Sequence, residues 1–107
     1  MSDGEWQRLD GVAVTFGRPR RARFGDETIL VFDTPRGLRG VAERCPHADY
    51  SLVHADVLEG GALLRCNFHN FIFRLSDGGG ANCLDYRLDV FEVKDQDGAL
   101  YARRAAP

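Results

Sequence analysis

Two short stretches of the chain each hold one thiol and one imidazole: Cys45-Pro46-His47 and Cys66-Asn67-Phe68-His69. Eighteen residues separate His47 from Cys66. The whole chain of 107 residues has three Cys and three His, so two of each are gathered in these pairs. Each pair stands where a β-like segment ends. VAER (41–44) leads into the first, ALLR (62–65) leads into the second, and FIFRL (71–75) leaves it. Two hairpin-like loops of this kind can face each other, each offering one thiolate and one imidazole to a shared centre.

The rest of the chain has the same short β-like rhythm. VAVTF (12–16) is rich in β-branched and aromatic residues. TILVFD (28–33) is a nearly continuous apolar run, the pattern of a strand buried on both faces. TPRG (34–37) puts Pro and Gly at turn positions before LRGVAER (38–44), which predicts a hairpin over 28–44. YRLDVFEV (86–93), the turn KDQDG (94–98) and ALYARR (99–104) predict a closing hairpin. SLVHADVL (51–58) predicts one helical turn. Short strands with Gly-bearing turns predict an all-β sandwich or barrel. There are no repeats, and residues 1–107 are read as one domain, a normal size for a single core.

Charge excludes several functions. The formal net charge of −2 leaves no basic stripe for nucleic acid. No apolar run approaches the length of a membrane span, and MSDGEWQRLD has no secretory pattern. An odd number of Cys, two of them beside His, suits metal ligands in a reducing compartment better than a disulfide framework. A cytoplasmic protein is expected. No acid, base or nucleophile constellation is visible, so the chain is not read as an enzyme and no small-molecule substrate is expected.

Two centres take two sulfur and two nitrogen ligands. Zinc binds Cys2His2 tetrahedrally, but its common structural pattern pairs Cys with Cys and His with His. A two-iron, two-sulfide cluster also needs four protein ligands, two for each iron. If both Cys hold one iron and both His the other, each loop supplies one of each, as the interleaved order here does. A colourless zinc module with an interaction role remains the alternative at this point.

CPHADYSL (45–52) and CNFHNFIF (66–73) resemble the two cluster loops of Rieske-type ferredoxins, in particular the ferredoxin components of biphenyl- and toluene-type aromatic-ring dioxygenases. Asp49, Tyr50, Ser51 and Leu52 continue the first likeness, and Phe73 falls on an aromatic position of the second. The resemblance implies the all-β Rieske fold, an antiparallel sandwich or barrel with a smaller cluster-binding subdomain over about 43–75. It implies one [2Fe-2S] cluster, with Cys45 and Cys66 on one iron and His47 and His69 on the other. The electron added on reduction would settle on the His-ligated iron. The spacer between the loops is slightly longer than the family's usual one. Asp49 and Asn70 stand where many members have Gly; they are the non-Gly residue types that best tolerate positive φ. SDGGGANC (76–83) matches a cover loop that often contains Pro, and here has none.

The resemblance further implies a one-electron carrier between a flavin-dependent NAD(P)H reductase and a terminal ring-hydroxylating oxygenase. A subunit of another redox system, nitrite-reductase-like or monooxygenase, is the related alternative. Residues 49–52 contain no Cys and residues 70–73 no hydroxyl, unlike high-potential respiratory members. Fewer hydrogen bonds to sulfur predict the low end of the Rieske range. Among the other residues, His54 fits no ligand spacing and is read as a surface or cap residue. Cys83 is read as a small buried side chain, Trp6 as packing, and Arg18, Arg20, Arg21 and Arg23 as a solvated loop. Asp49, Asp56 and Glu59 offer acidic charge near the loops for a basic partner.

Overall fold

A computed structural model of the chain describes residues 6–9, 19–46, 51–66, 70–82 and 86–105. Alternation along TILVFD decides the architecture. In strand β3 (Glu27–Thr34) the four residues Ile29, Leu30, Val31 and Phe32 are all buried. Successive side chains of a strand point to opposite faces. Ile29 and Val31 accordingly enter one apolar cluster, with Leu9, Ala22, Phe91, Leu100 and Ala102. Leu30 and Phe32 enter the other, with Val41, Leu52, Leu64, Phe73 and both Cys45 and Cys66. The strand is thus a wall between two cores, and the thiols of both pairs share one of them.

Six antiparallel strands form the sheet that carries this wall, in the order β1 (Gln7–Arg8), β9 (Ala99–Arg104), β8 (Val90–Gln96), β4 (Gly37–Ala42), β3 and β2 (Arg20–Phe24). A smaller antiparallel sheet runs β5 (Asp56–Leu58), β6 (Leu63–Arg65), β7 (Ile72–Arg74). The described residues contain no α-helix, and none of their helices is long and apolar enough to cross a membrane. The all-β expectation is borne out. So is the β3–β4 hairpin, closed by Thr34 opposite Gly37. The Thr34 hydroxyl donates to the Gly37 carbonyl (2.7 Å) and accepts from the Arg36 amide (3.1 Å). This replaces hydrogen bonds that a two-residue turn leaves unmade.

Three expectations are corrected. Residues 20–24 are not a loop but the edge strand β2, paired with β3 from Arg20 opposite Val31 to Phe24 opposite Glu27. Ala22 is buried and Phe24 half-buried, while Arg20, Arg21 and Arg23 are exposed. Period 2 is present, but arginines mask it; charged side chains suit an edge, where they discourage pairing with another chain. Arg18 lies outside the described residues. The closing turn is also shorter than KDQDG. Strand β8 runs through Lys94 to Gln96, leaving only Asp97 and Gly98, both at positive φ, between Gln96 and Ala99. An Asp-Gly pair is a standard two-residue hairpin turn. Finally, β8 begins at Val90, so residues 86–89 precede it rather than belong to it. VAVTF (12–16) lies outside the described residues. The helical turn expected in 51–58 is a 3-10 turn, Leu52–His54, followed by β5.

Candidate metal centre

Cys45 follows an isolated bridge between Arg44 and Ser51, which closes the first loop at its neck. Leu52 N–H donates to the Glu43 carbonyl (2.7 Å) beside it. The Glu43 carboxylate accepts from Arg21 Nε (2.7 Å) of β2 and from the Ser51 hydroxyl (3.0 Å). Ser51 Oγ also caps the 3-10 turn by accepting from Val53 N–H (3.2 Å). Partial burial pushes the Glu43 pKa up. The hydrogen bonds from Arg21 and Ser51 and the charges of Arg21 and Arg44 outweigh it and hold the carboxyl below its ordinary value. One carboxylate therefore ties the edge strand, the neck of the loop and the turn after it into a single knot.

Strands β6 and β7 close the second loop. Their register runs Leu63 opposite Arg74, Leu64 opposite Phe73 and Arg65 opposite Ile72. One step further, Cys66 N–H donates to the Phe71 carbonyl (2.7 Å). Asn70 has φ 55, so the tolerance for positive φ expected of Asn in place of Gly is used. On its open side β7 meets residues 79–82. Arg74 N–H donates to the Gly79 carbonyl (2.8 Å), Ala81 N–H to the Ile72 carbonyl (2.7 Å), and Phe73 lies opposite Gly80.

A knot around Asp77 holds the start of that segment. Its carboxylate accepts from Gly79 N–H (2.9 Å) and from Arg74 Nε (3.1 Å), and its carbonyl accepts from Arg87 (2.9 Å). The Gly79 amide first, and then Arg74, lowers the Asp77 pKa against a small opposing effect of burial. A lowered folded-state pKa stabilises the protein above the ordinary carboxylate value, and the benefit fades as pH falls through the folded value. Asp77→Asn is therefore expected to lower the melting temperature at neutral pH and to match the parent once both are well below the carboxylate range. Melting curves across pH test this; a gap that persists at low pH would count against it.

Cys45 and Cys66 are 1% and 0% exposed, lie in one apolar cluster and form no disulfide. They reach that cluster from different hairpins, Cys45 after β4 and Cys66 after β6. His47 and His69 lie outside the described residues, as do Asp49 and Cys83. Among the described residues no group of three His, Cys, Asp or Glu converges. Two buried soft donors in one apolar cluster fit the sulfur half of an iron–sulfur site, because thiolates are the ligands such clusters use. His54 ends the 3-10 turn and is exposed, in keeping with a surface role. Trp6 packs against Lys94 Nζ and the Arg103 guanidinium, 4.4 and 4.5 Å from its ring centre. Asp56 and Glu59 are exposed, but Asp56 is paired with Arg65 (2.6 Å), which offsets its charge. The Glu43 knot and the ties of residues 77–82 were missed by sequence reasoning. Ser51 and the close spacing of Arg74, Asp77 and Gly79 are local signals, whereas Arg21, Arg87 and Asn82 reach their partners across ten or more residues.

A family model described as the Rieske [2Fe-2S] domain matches residues 6–92. No curated protein matches the chain significantly. Among solved structures, a chain from the complex of reduced oxygenase and oxidized ferredoxin in carbazole 1,9a-dioxygenase is similar, with TM-score 0.66 and 28% identity over 83% of this chain and 91% of that one. The terminal oxygenase of carbazole 1,9a-dioxygenase from Nocardioides aromaticivorans IC177 has TM-score 0.75 and 15% identity, over 98% of this chain and 31% of that one. The corresponding oxygenase from Novosphingobium sp. KA1 gives 0.71 and 17%, over 95% and 30%. The chain thus spans under a third of those two oxygenases, and at such identities the likeness is one of fold.

Proposed function

This chain belongs to the Rieske [2Fe-2S] domain family, and on that premise we propose that it is a one-electron carrier whose cluster is held by Cys45 and Cys66 on one iron and by His47 and His69 on the other. The observation that carries the ligand assignment is the burial of Cys45 and Cys66 in one apolar cluster, each at the neck of its own hairpin loop. When bound, a Rieske-type [2Fe-2S] cluster supplies one-electron redox chemistry, in a family range of about −150 to +300 mV. The residues of this chain do the rest. Leu52, Leu64, Phe73 and Leu88 keep water from the thiolate side, all of them at most 1% exposed. The Glu43 knot and the Cys66–Phe71 hydrogen bond fix the two loop necks. Residues 70–73 bring no side-chain hydroxyl to the second loop, which supports a potential at the low end of the range.

The partners we propose are a flavin-dependent NAD(P)H reductase as donor and a terminal ring-hydroxylating oxygenase as acceptor. Support comes from the match to a chain of the oxygenase–ferredoxin complex, nearly all of whose length is covered. The same reading treats residues 1–107 as one Rieske unit, with its cluster-binding part over about 43–75. Absorption and EPR spectra of anaerobically purified protein, before and after dithionite, test the centre. A red-brown protein with a rhombic signal of low average g is expected on reduction. Colourless protein with stoichiometric zinc, from cells grown with ample iron, would sink the carrier reading.

A further inference from the structure

We propose that Asn82 is a positioning residue for His69, a side-chain brace on the backbone that leaves the second loop. The inference rests on the ligand assignment above. Residues 79–81 run antiparallel along the open edge of β7. In a regular antiparallel ladder, two residues that face each other in a hydrogen-bonded pair exchange both N–H and C=O bonds. Ala81 and Ile72 make only half of that exchange: Ala81 N–H donates to the Ile72 carbonyl. The other half is supplied by a side chain, since Ile72 N–H donates to Asn82 Oδ1 (2.9 Å). The same carboxamide then donates from Nδ2 to the Asn70 carbonyl (3.0 Å). One planar group thus extends the ladder past the end of β7 to the residue covalently attached to His69.

Asn70 sits in the left-handed region, which Asn tolerates better than most non-Gly residues. Across the loop, Cys66 N–H grips the Phe71 carbonyl. Residues 70–72 are therefore held by Cys66 on one side and by Asn82 on the other. The Asn carboxamide offers an acceptor and a donor in one plane, a pairing that an ionised Asp or an Ala side chain lacks. The brace is reached from ten and twelve residues away in the chain, so it belongs to the packing of the cover segment and not to the loop itself.

The test uses the cluster-loaded protein and two variants, Asn82→Ala and Asn82→Asp. Amide exchange at Ile72, the midpoint potential, the EPR g values and the rate of bleaching by a chelator are measured on each. For Asn82→Ala we expect Ile72 exchange to rise about fivefold to tenfold, as the loss of one hydrogen bond allows. The midpoint and g values should shift, and bleaching should quicken. Asn82→Asp keeps the acceptor for Ile72 but turns an oxygen toward the Asn70 carbonyl. Ile72 should stay protected while the g values still shift. The added carboxylate charge moves the midpoint of this variant by itself, so its g values decide the matter if the alanine variant does not fold. Faster Ile72 exchange with an unmoved midpoint and unmoved g values would overturn the proposal, because the brace would then be structural only. So would no change at all. A parent protein without the two-His EPR signal overturns the ligand assignment itself, and with it the role toward His69, before any variant is made.

Discussion

Cys66→Ser is expected to remove the red-brown colour and the EPR signal of the reduced protein while leaving a folded β domain. The side chain at this position is fully buried, and it lies in the same apolar cluster as Cys45. Serine is nearly isosteric, but its hydroxyl is a poor substitute for thiolate, the ligand on which iron–sulfur clusters depend. The backbone hydrogen bond from residue 66 to the Phe71 carbonyl does not involve the side chain and survives the change. Burying an unpaired hydroxyl costs about 1–3 kcal/mol, less than the stability of an ordinary domain. Circular dichroism should therefore keep its β signature while absorbance near the cluster bands is lost. Cys45→Ser should behave alike. Cys83→Ser is the control, since residue 83 stands in neither Cys/His pair, and it should retain colour and signal. Full cluster loading in Cys66→Ser would remove Cys66 from the ligand set; loss of the cluster in Cys83→Ser would add an unexpected ligand.

The contrast between those cysteines shows what the sequence makes legible. Spacing of the proposed ligands is local, so the pairs at 45–47 and 66–69 can be read directly, and so can strands whose burial alternates plainly. The hairpin of β3 and β4 is read from TILVFD and TPRG because apolar period and turn chemistry agree there. Strand β2 is hidden because three of its five residues are arginine, and only Ala22 and Phe24 carry the apolar period. Lys94 to Gln96 look like turn residues, yet tertiary pairing with β9 draws them into β8. The supports of the site are harder still. Glu43 meets Arg21 across twenty-two residues, and Asn82 meets Asn70 across twelve. Nothing in the local sequence of either segment announces its partner, because the partnership exists only once the sheets have formed.

The same cover segment carries the second large effect. Gly78→Ala should destabilise the protein by about 3–5 kcal/mol, whereas Gly98→Ala should cost only about 1–2 kcal/mol. The two glycines share nearly the same backbone angle, φ 81 and φ 82. Each therefore bears the same penalty for placing a Cβ on a left-handed residue. Their surroundings differ. A Cβ at Gly98 would meet nothing within 4 Å, whereas at Gly78 it would lie 1.7 Å from the Leu88 carbonyl oxygen and 2.9 Å from its carbon. That oxygen belongs to backbone and cannot swing aside. Relief requires moving Leu88, whose N–H donates to the Gly78 carbonyl (2.7 Å) and whose side chain is 1% exposed in the core shared with Cys45 and Cys66. At about 4 °C per kcal/mol for a domain near this size, melting should fall by roughly 12–20 °C for Gly78→Ala and by roughly 4–8 °C for Gly98→Ala. Because the steric damage reaches the thiol-bearing core, Gly78→Ala should also bleach faster under chelator, and Gly98→Ala should not. Equal melting shifts in the two variants would show that the contact with Leu88 is relieved at no cost, and that the cover segment is not the rigid support for the second loop that its hydrogen bonds describe.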